Sequence, residues 1–187
     1  MKIDDLNNPS PKKVAKAIKT ETGWKWLFLE NNPLYKNRNF SVYFYVSEKT
    51  GKILKIGSTD GLGGLESRVR ATSNGDKGTP GAHDKKMQPT ILELLNSGFT
   101  IDLYALVSPP IYREYLFNGE LVRDEIVDSV PEESRYIELY KSKNQKEPPF
   151  NFNNKGTRPS SKGLSAKEFV HLDLQERLER ARILCQD

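Results

Sequence analysis

At 187 residues the chain fits one domain with decorated ends, since domains cluster near ~100–150 residues. A hydrophobic fraction of 36%, a charged fraction of 29% and a mean hydropathy of −0.67 imply a soluble protein with a modest core, and no apolar run approaches the ~20 residues of a membrane span. One cysteine, Cys185, and two histidines exclude a disulfide framework and a closed zinc site. The first eleven residues lack the apolar stretch of a signal peptide, so a cytoplasmic location away from membranes is expected.

The net charge of +4 is unevenly spread. Residues 1–40 carry eight Lys or Arg against four acids, and residues 155–187 carry seven against five. The middle is slightly acidic, except for residues 49–86 with eight bases against four acids. Basic flanks around one basic stretch suit a polyanion, because phosphate neutralisation supplies most non-specific nucleic-acid affinity.

In chain order, Ser10-Pro11 opens a predicted helix over residues 11–20, with Ser as cap, Pro in the first turn, and Val14, Ala17 and Ile18 on one face. Gly23 stops it, and residues 24–29 read as a packed, partly extended arm. Residues 40–47 are aromatic and β-branched, a strand; Lys49-Thr50-Gly51 turns the chain and residues 52–56 return. A Gly-rich connector (60–64) leads to a helix over 65–73, a flexible polar loop over 74–84 and a second helix over 87–96. Residues 99–107 alternate as a third strand. Asn118-Gly119 between residues 112–117 and 120–126 signals a β-hairpin, and Ser129-x-x-Glu132 is a capping box opening a helix over 131–143. After Pro148-Pro149 and a linker at 157–163, a last helix over 167–184 carries an apolar stripe of Val170, Leu174, Leu178, Ala181 and Cys185. That stripe needs burial, on the core or on a second subunit. The expected organisation is an N-terminal helical arm (1–39), a core (40–155), and a linker with a C-terminal helix (156–187). The fold class is α+β, a small three-stranded antiparallel or mixed sheet flanked by helices, with a β-hairpin insertion and helical extensions at both ends.

Within the core the order of elements resembles the GIY-YIG nuclease superfamily. Its first signature corresponds to Ser41-Val42-Tyr43 and its second to Lys55-Ile56-Gly57-Ser58-Thr59, with Lys in place of the second Tyr. Arg68 falls on the following helix, Glu133 on the third, and Pro148-Pro149-Phe150-Asn151 echoes the closing Pro-aromatic-Asn of the family. The Lys variant, the Leu116–Gly119 hairpin tip and the Glu133-to-Pro148 spacing are most similar to a subgroup of small type II restriction endonucleases. The resemblance implies one divalent ion per site, magnesium with manganese as substitute, held by Glu133. It also implies Tyr43 as general base assisted by Lys55, and Arg68 on the scissile phosphate.

The residues support that chemistry on their own terms. If residue 47 faces 51, Tyr43 falls opposite Lys55 on a shared face, and an adjacent ammonium favours the phenolate. Arg68 offers a planar donor fork, and Glu133 lies in the first turn of its helix, where the macrodipole favours an ionised carboxylate. Alternatives stay open at this level. A slipped register makes Tyr45 the functional tyrosine, Arg70 competes with Arg68, and Glu132 and Glu138 share the helix of Glu133. Gly57, Ser58, Thr72 and His83 are supporting candidates; the family often has Tyr or His at the Thr72 position and sometimes His at Ser58. Arg70, Lys77, Lys85 and Lys86 are candidate DNA contacts, and Lys12, Lys13, Lys16 and Lys19 suit a helix along phosphates. The expected function is sequence-specific cleavage of double-stranded DNA by a homodimer, with a cognate DNA methyltransferase encoded nearby and the last helix as candidate interface. A phage or mobile-element nicking enzyme, or an inactive DNA-binding module of the same fold, are the alternatives.

Overall fold

The computed structural model describes residues 1–7, 9–73, 82–109, 111–126, 130–151 and 166–186. Strands β1 (Lys12–Thr20), β2 (Gly23–Phe28), β3 (Phe40–Ser47), β4 (Ile53–Thr59) and β5 (Ile101–Ser108) form one sheet in the order β2-β1-β5-β3-β4, every pair antiparallel. Among the described residues, strands β6 (Ile111–Phe117) and β7 (Glu120–Ile126) pair only with each other. The helices are α1 (Pro33–Lys36), α2 (Gly64–Ser73), α3 (Ala82–Asn96), α4 (Val130–Asn144) and α5 (Ala166–Gln186). The α+β class holds, with a sheet of five strands where three were expected.

The two extra strands correct the helical arm expected before residue 40. Residues 12–20 do not form a helix; they lie between β2 and β5. The register of β1 against β5 shifts between Lys13 and Ala15, so Val14 and Ala15 are both buried and the period-2 alternation breaks. That break gives apolar residues the spacing 14, 17 and 18, which mimics a helix face. Pairing on both edges then overrides local propensity. Its lysines therefore project from a sheet, and Lys13 is tied to the buried Asp102 at 2.6 Å.

Each face of the sheet has its own cover. Trp24, Trp26, Tyr43, Tyr45, Leu54 and Leu103 pack with Leu65 and Val69 of α2, Met87, Ile91 and Leu94 of α3, and Leu178, Ala181 and Cys185 of α5. The opposite face, Val42, Phe44, Val46, Ile53 and Ile56, is covered by Ile3, Leu6 and the Tyr136, Ile137 and Tyr140 face of α4. Leu174, Leu178, Ala181 and Cys185 of the α5 stripe are thus spent on the chain's own core, which removes them as a subunit interface; the side chain of Val170 lies outside the described residues. The helix is fixed further by hydrogen bonds: Thr50 Oγ1 donates to Leu184 O (2.8 Å) and Arg180 to Glu147 O. Among the described residues no helix is long and apolar enough to cross a membrane.

Strand β4 would be an open edge, but two segments close it. Ile53 N donates to Met1 O (3.3 Å), and Phe150 N donates to Leu54 O (2.9 Å). Asn151 then acts as a piece of strand: Ile56 N donates to its Oδ1 and its Nδ2 donates to Ile56 O, both at 2.8 Å. Replacing Asn151→Ala leaves both buried groups of Ile56 unpaired. It should lower stability by about 2–3 kcal/mol in thermal or urea unfolding, whereas exposed Asn118→Ala at the hairpin tip should move the core transition far less.

Candidate active site

The site is built on the second half of β4. Tyr45 pairs with Lys55 and Val46 with Ile53, so Leu54 is an inserted residue and Tyr43 comes opposite Gly57. This corrects the expected pairing of Tyr43 with Lys55, because a regular hairpin count cannot anticipate the bulge. The two side chains still share a face, now as diagonal neighbours, a separation that long side chains span.

Gly57 is required by that register. A Cβ there would lie 2.5 Å from Tyr43 Cζ and 2.6 Å from its hydroxyl, so the phenol tip rests directly on the strand. Lys55, two residues along on the same face, is only 3% exposed. Lysines are seldom so buried unless paired. Tyr45 is committed elsewhere: its hydroxyl is 3.2 Å from Thr72 Oγ1, whose own proton goes to Val69 O at 2.6 Å. Tyr45 is therefore the donor to Thr72, and the pair anchors α2 to β3. This separates the two candidate tyrosines; Tyr45 is a brace, and Tyr43 has its hydroxyl at the strand end.

Arg68 lies one helical turn before Thr72, half-buried on α2. The N-terminus of that helix is fixed by Gly64, whose φ of +61° and closeness to Asn37 O and Tyr35 O (2.3 and 2.7 Å from an added Cβ) admit no side chain. Arg70, the competing arginine, is engaged by Glu66 at 2.8 Å and stacks over Phe28 at 5.5 Å. Its guanidinium joins α2 to β2 rather than serving the Tyr43 cluster.

Glu133 arrives from the other side. On α4 it is three, four and seven residues before Tyr136, Ile137 and Tyr140, the apolar positions seated on the sheet, so it shares their face. Tyr136 meets Phe44 edge-on at 5.3 Å. Ser58 Oγ donates to Glu133 Oε2 at 2.5 Å. Strand alternation turns Ser58 away from Gly57, so the cluster straddles the end of β4, with Tyr43 over one residue and Glu133 on the next. Burial raises the phenols of Tyr136 and Tyr140 above the ordinary tyrosine range. Glu132 pairs with Arg135, and Glu138 with Lys141 at 2.8 Å, which leaves Glu133 as the carboxylate at the strand.

The structure thus brings together Tyr43, Lys55, Gly57, Ser58 and Glu133 at the end of β4, with Tyr45 and Thr72 behind them and Arg68 half-buried on the adjoining α2. Lys77 lies outside the described residues, as do the side chains of His83, Lys85 and Lys86 on the first turns of α3. Asn151 was not among the candidates, although its Pro-Pro-Phe-Asn context marks it. Among the described residues no three His, Cys, Asp or Glu gather as a metal cage. A single oriented carboxylate suits magnesium nonetheless, since that ion keeps several waters and takes one or two carboxylates with substrate phosphates.

No protein-family model and no curated protein matches the chain. Among solved structures the fold is similar to that of a bacteriophage T4 EndoII variant, with a TM-score of 0.55 at 14% identity over 81% of this chain and 100% of that one. The restriction endonuclease HPY188I, solved in complex with product DNA, overlaps with a TM-score of 0.46 at 18% identity over 79% of this chain and 84% of that one. The class established by fold is therefore an α+β protein built like the phage endonuclease EndoII.

The Tyr43–Gly57 contact is testable as a coupling. Gly57→Ala should destabilise the parent by about 2 kcal/mol through overpacking. In a Tyr43→Ala background the same change should cost about 1–2 kcal/mol less in a double-mutant unfolding cycle.

Proposed function

We propose that this chain is a magnesium-dependent endonuclease of GIY-YIG type that hydrolyses phosphodiester bonds in duplex DNA. Within that class we read it as a sequence-specific type II restriction enzyme acting as a homodimer in the cytoplasm, where such an enzyme meets incoming DNA. A cognate methyltransferase would protect the host copy of the site. The observation that carries the reading is the placement of the Tyr43 hydroxyl and the Glu133 carboxylate on adjacent residues of one strand end. The EndoII-like fold supports it, since that protein is named as an endonuclease.

Hydrolysis needs a base for water, charge stabilisation on phosphorus and help for the leaving oxygen. Tyr43 is the base in this reading. Its phenol is too weak an acid at neutral pH unless a cation favours the phenolate, and Lys55 is the buried ammonium on the same face. Arg68 offers a planar fork to the scissile phosphate. Ser58 holds the Glu133 carboxylate in one orientation, and Glu133 would hold the metal together with waters and phosphate oxygens. A bound magnesium ion supplies Lewis-acid stabilisation of the phosphate and its leaving oxygen. Gly57 supplies the space in which the Tyr43 ring lies against the backbone.

The whole-length overlap with a phage enzyme favours one second reading, a phage or mobile-element nicking endonuclease with the same residues in the same roles. Plasmid DNA with magnesium separates the two. Defined linear fragments identify a restriction enzyme, and accumulating nicked circles identify the second reading. Glu133→Ala and Arg68→Ala should each lower cleavage by about 100-fold or more. Binding with no cleavage by the parent protein refutes both.

A further inference from the structure

Glu133 is tied to the sheet through one of its two carboxylate oxygens. Ser58 Oγ donates to Oε2 at 2.5 Å, within the range of charge-assisted O–H···O⁻ bonds. Among the described residues Oε1 carries no hydrogen bond or ion pair. The neighbouring cations of α4 do not compete for it, because Arg135 is engaged by Glu132, and Lys141 by Glu138 at 2.8 Å.

Both ends of this hydrogen bond stand on fixed backbone. Ser58 pairs with Val42 in the β3–β4 ladder, two residues beyond Ile56, whose outer hydrogen bonds Asn151 completes. The α4 backbone is seated one turn after Glu133 by Tyr136, edge-on to Phe44 at 5.3 Å, and two turns after it by the buried Tyr140. What stays loose in a glutamate so placed is its side chain, above all the last torsion, which is broad rather than staggered. The Ser58 hydroxyl is the group that fixes that torsion.

We infer that Ser58 is a positioning residue that sets which divalent ion the site takes: by holding Oε2 it offers Glu133 to the ion through Oε1, which favours magnesium over calcium. This rests on the magnesium reading of the proposed function and adds its selectivity. Magnesium demands near-octahedral geometry and keeps several of its waters, whereas calcium takes about 6–8 oxygens and accepts both oxygens of one carboxylate. A cation bridging both oxygens of Glu133 would have to share Oε2 with the Ser58 proton. That restriction costs calcium a ligand and costs magnesium none. Without the hydroxyl the carboxylate regains both its rotation and its second oxygen, so magnesium loses a preset ligand and calcium gains a chelate.

Displacement of Mn²⁺ by Mg²⁺ and by Ca²⁺, followed by electron paramagnetic resonance on the purified full chain, reads this selectivity without cleavage. The ratio of calcium to magnesium affinity should rise about 10-fold in Ser58→Ala, the size of effect expected when a hydrogen bond behind a metal ligand is lost. Ser58→Thr keeps the hydroxyl and should restore the parental ratio. Ser58→Cys, similar in size but a weak donor, should follow Ser58→Ala. Thermal unfolding near the parental midpoint identifies the folded variants. In plasmid cleavage Ser58→Ala should need about 10-fold more magnesium to reach half its maximal rate, with the rate at saturating magnesium changed far less. A parental calcium-to-magnesium ratio in Ser58→Ala and Ser58→Cys overturns the inference. Glu133→Ala tells that failure from failure of the metal reading itself. Mn²⁺ binding that survives Glu133→Ala, or that the parent lacks, overturns the metal reading and the inference with it.

Discussion

The phenol of Tyr43 lies where the side chain of residue 57 would be, and the proposed chemistry depends on that one contact. It fixes residue 57 as glycine. It sets the phenol tip at the end of β4, one residue from the Ser58 that holds Glu133. It also leaves Lys55 as the next side chain along the same face. In the proposed reading, a base and an oriented carboxylate held against adjacent residues of one strand need little reorganisation, and electrostatic stabilisation is strongest where the groups are fixed beforehand.

That strand is held from outside by segments far away in sequence. Asn151 completes the hydrogen bonding of Ile56, the residue just before Gly57. The segment carrying Asn151 is in turn bound by α5, where Arg177 donates to Pro149 O (3.2 Å) and Asn151 O (3.1 Å). The last helix therefore acts on the site through two links, α5 to the closing segment and the closing segment to β4. The two N-terminal strands do similar work on the other side: Trp26 of β2 packs on Tyr45 at 4.9 Å, and Tyr45 braces α2 through Thr72.

Legibility in the sequence followed the range of the interactions. Residues 40–47 and Asn118-Gly119 were readable because strand and turn chemistry are local, and so was the helix carrying Glu133, while Ser129 of its expected capping box lies outside the described residues. The expected grouping of Tyr43, Lys55, Arg68 and Glu133 came only as an ordered set with a family resemblance, and of it the structure shows Tyr43 on Gly57, Lys55 on the same face and Glu133 on Ser58. What escaped depended on inserted residues and distant partners. The bulge at Leu54 moved Tyr43 from Lys55 to Gly57, and the shift at Val14 disguised β1 as a helix. The destination of the α5 stripe, core rather than interface, is a tertiary choice that periodicity does not encode. Nor does sequence reveal that Arg70 is engaged by Glu66 and Phe28.

The account turns on the hydroxyl of Tyr43 rather than its ring, and a single oxygen atom separates the two. Cleavage of duplex DNA by Tyr43→Phe, measured beside the parent in magnesium with binding followed in calcium, tests it most directly. The account predicts cleavage lowered by about 100-fold or more, with DNA affinity and thermal stability close to those of the parent. Cleavage by Tyr43→Phe at the parental rate would contradict it, and would move the base to another group at the end of β4.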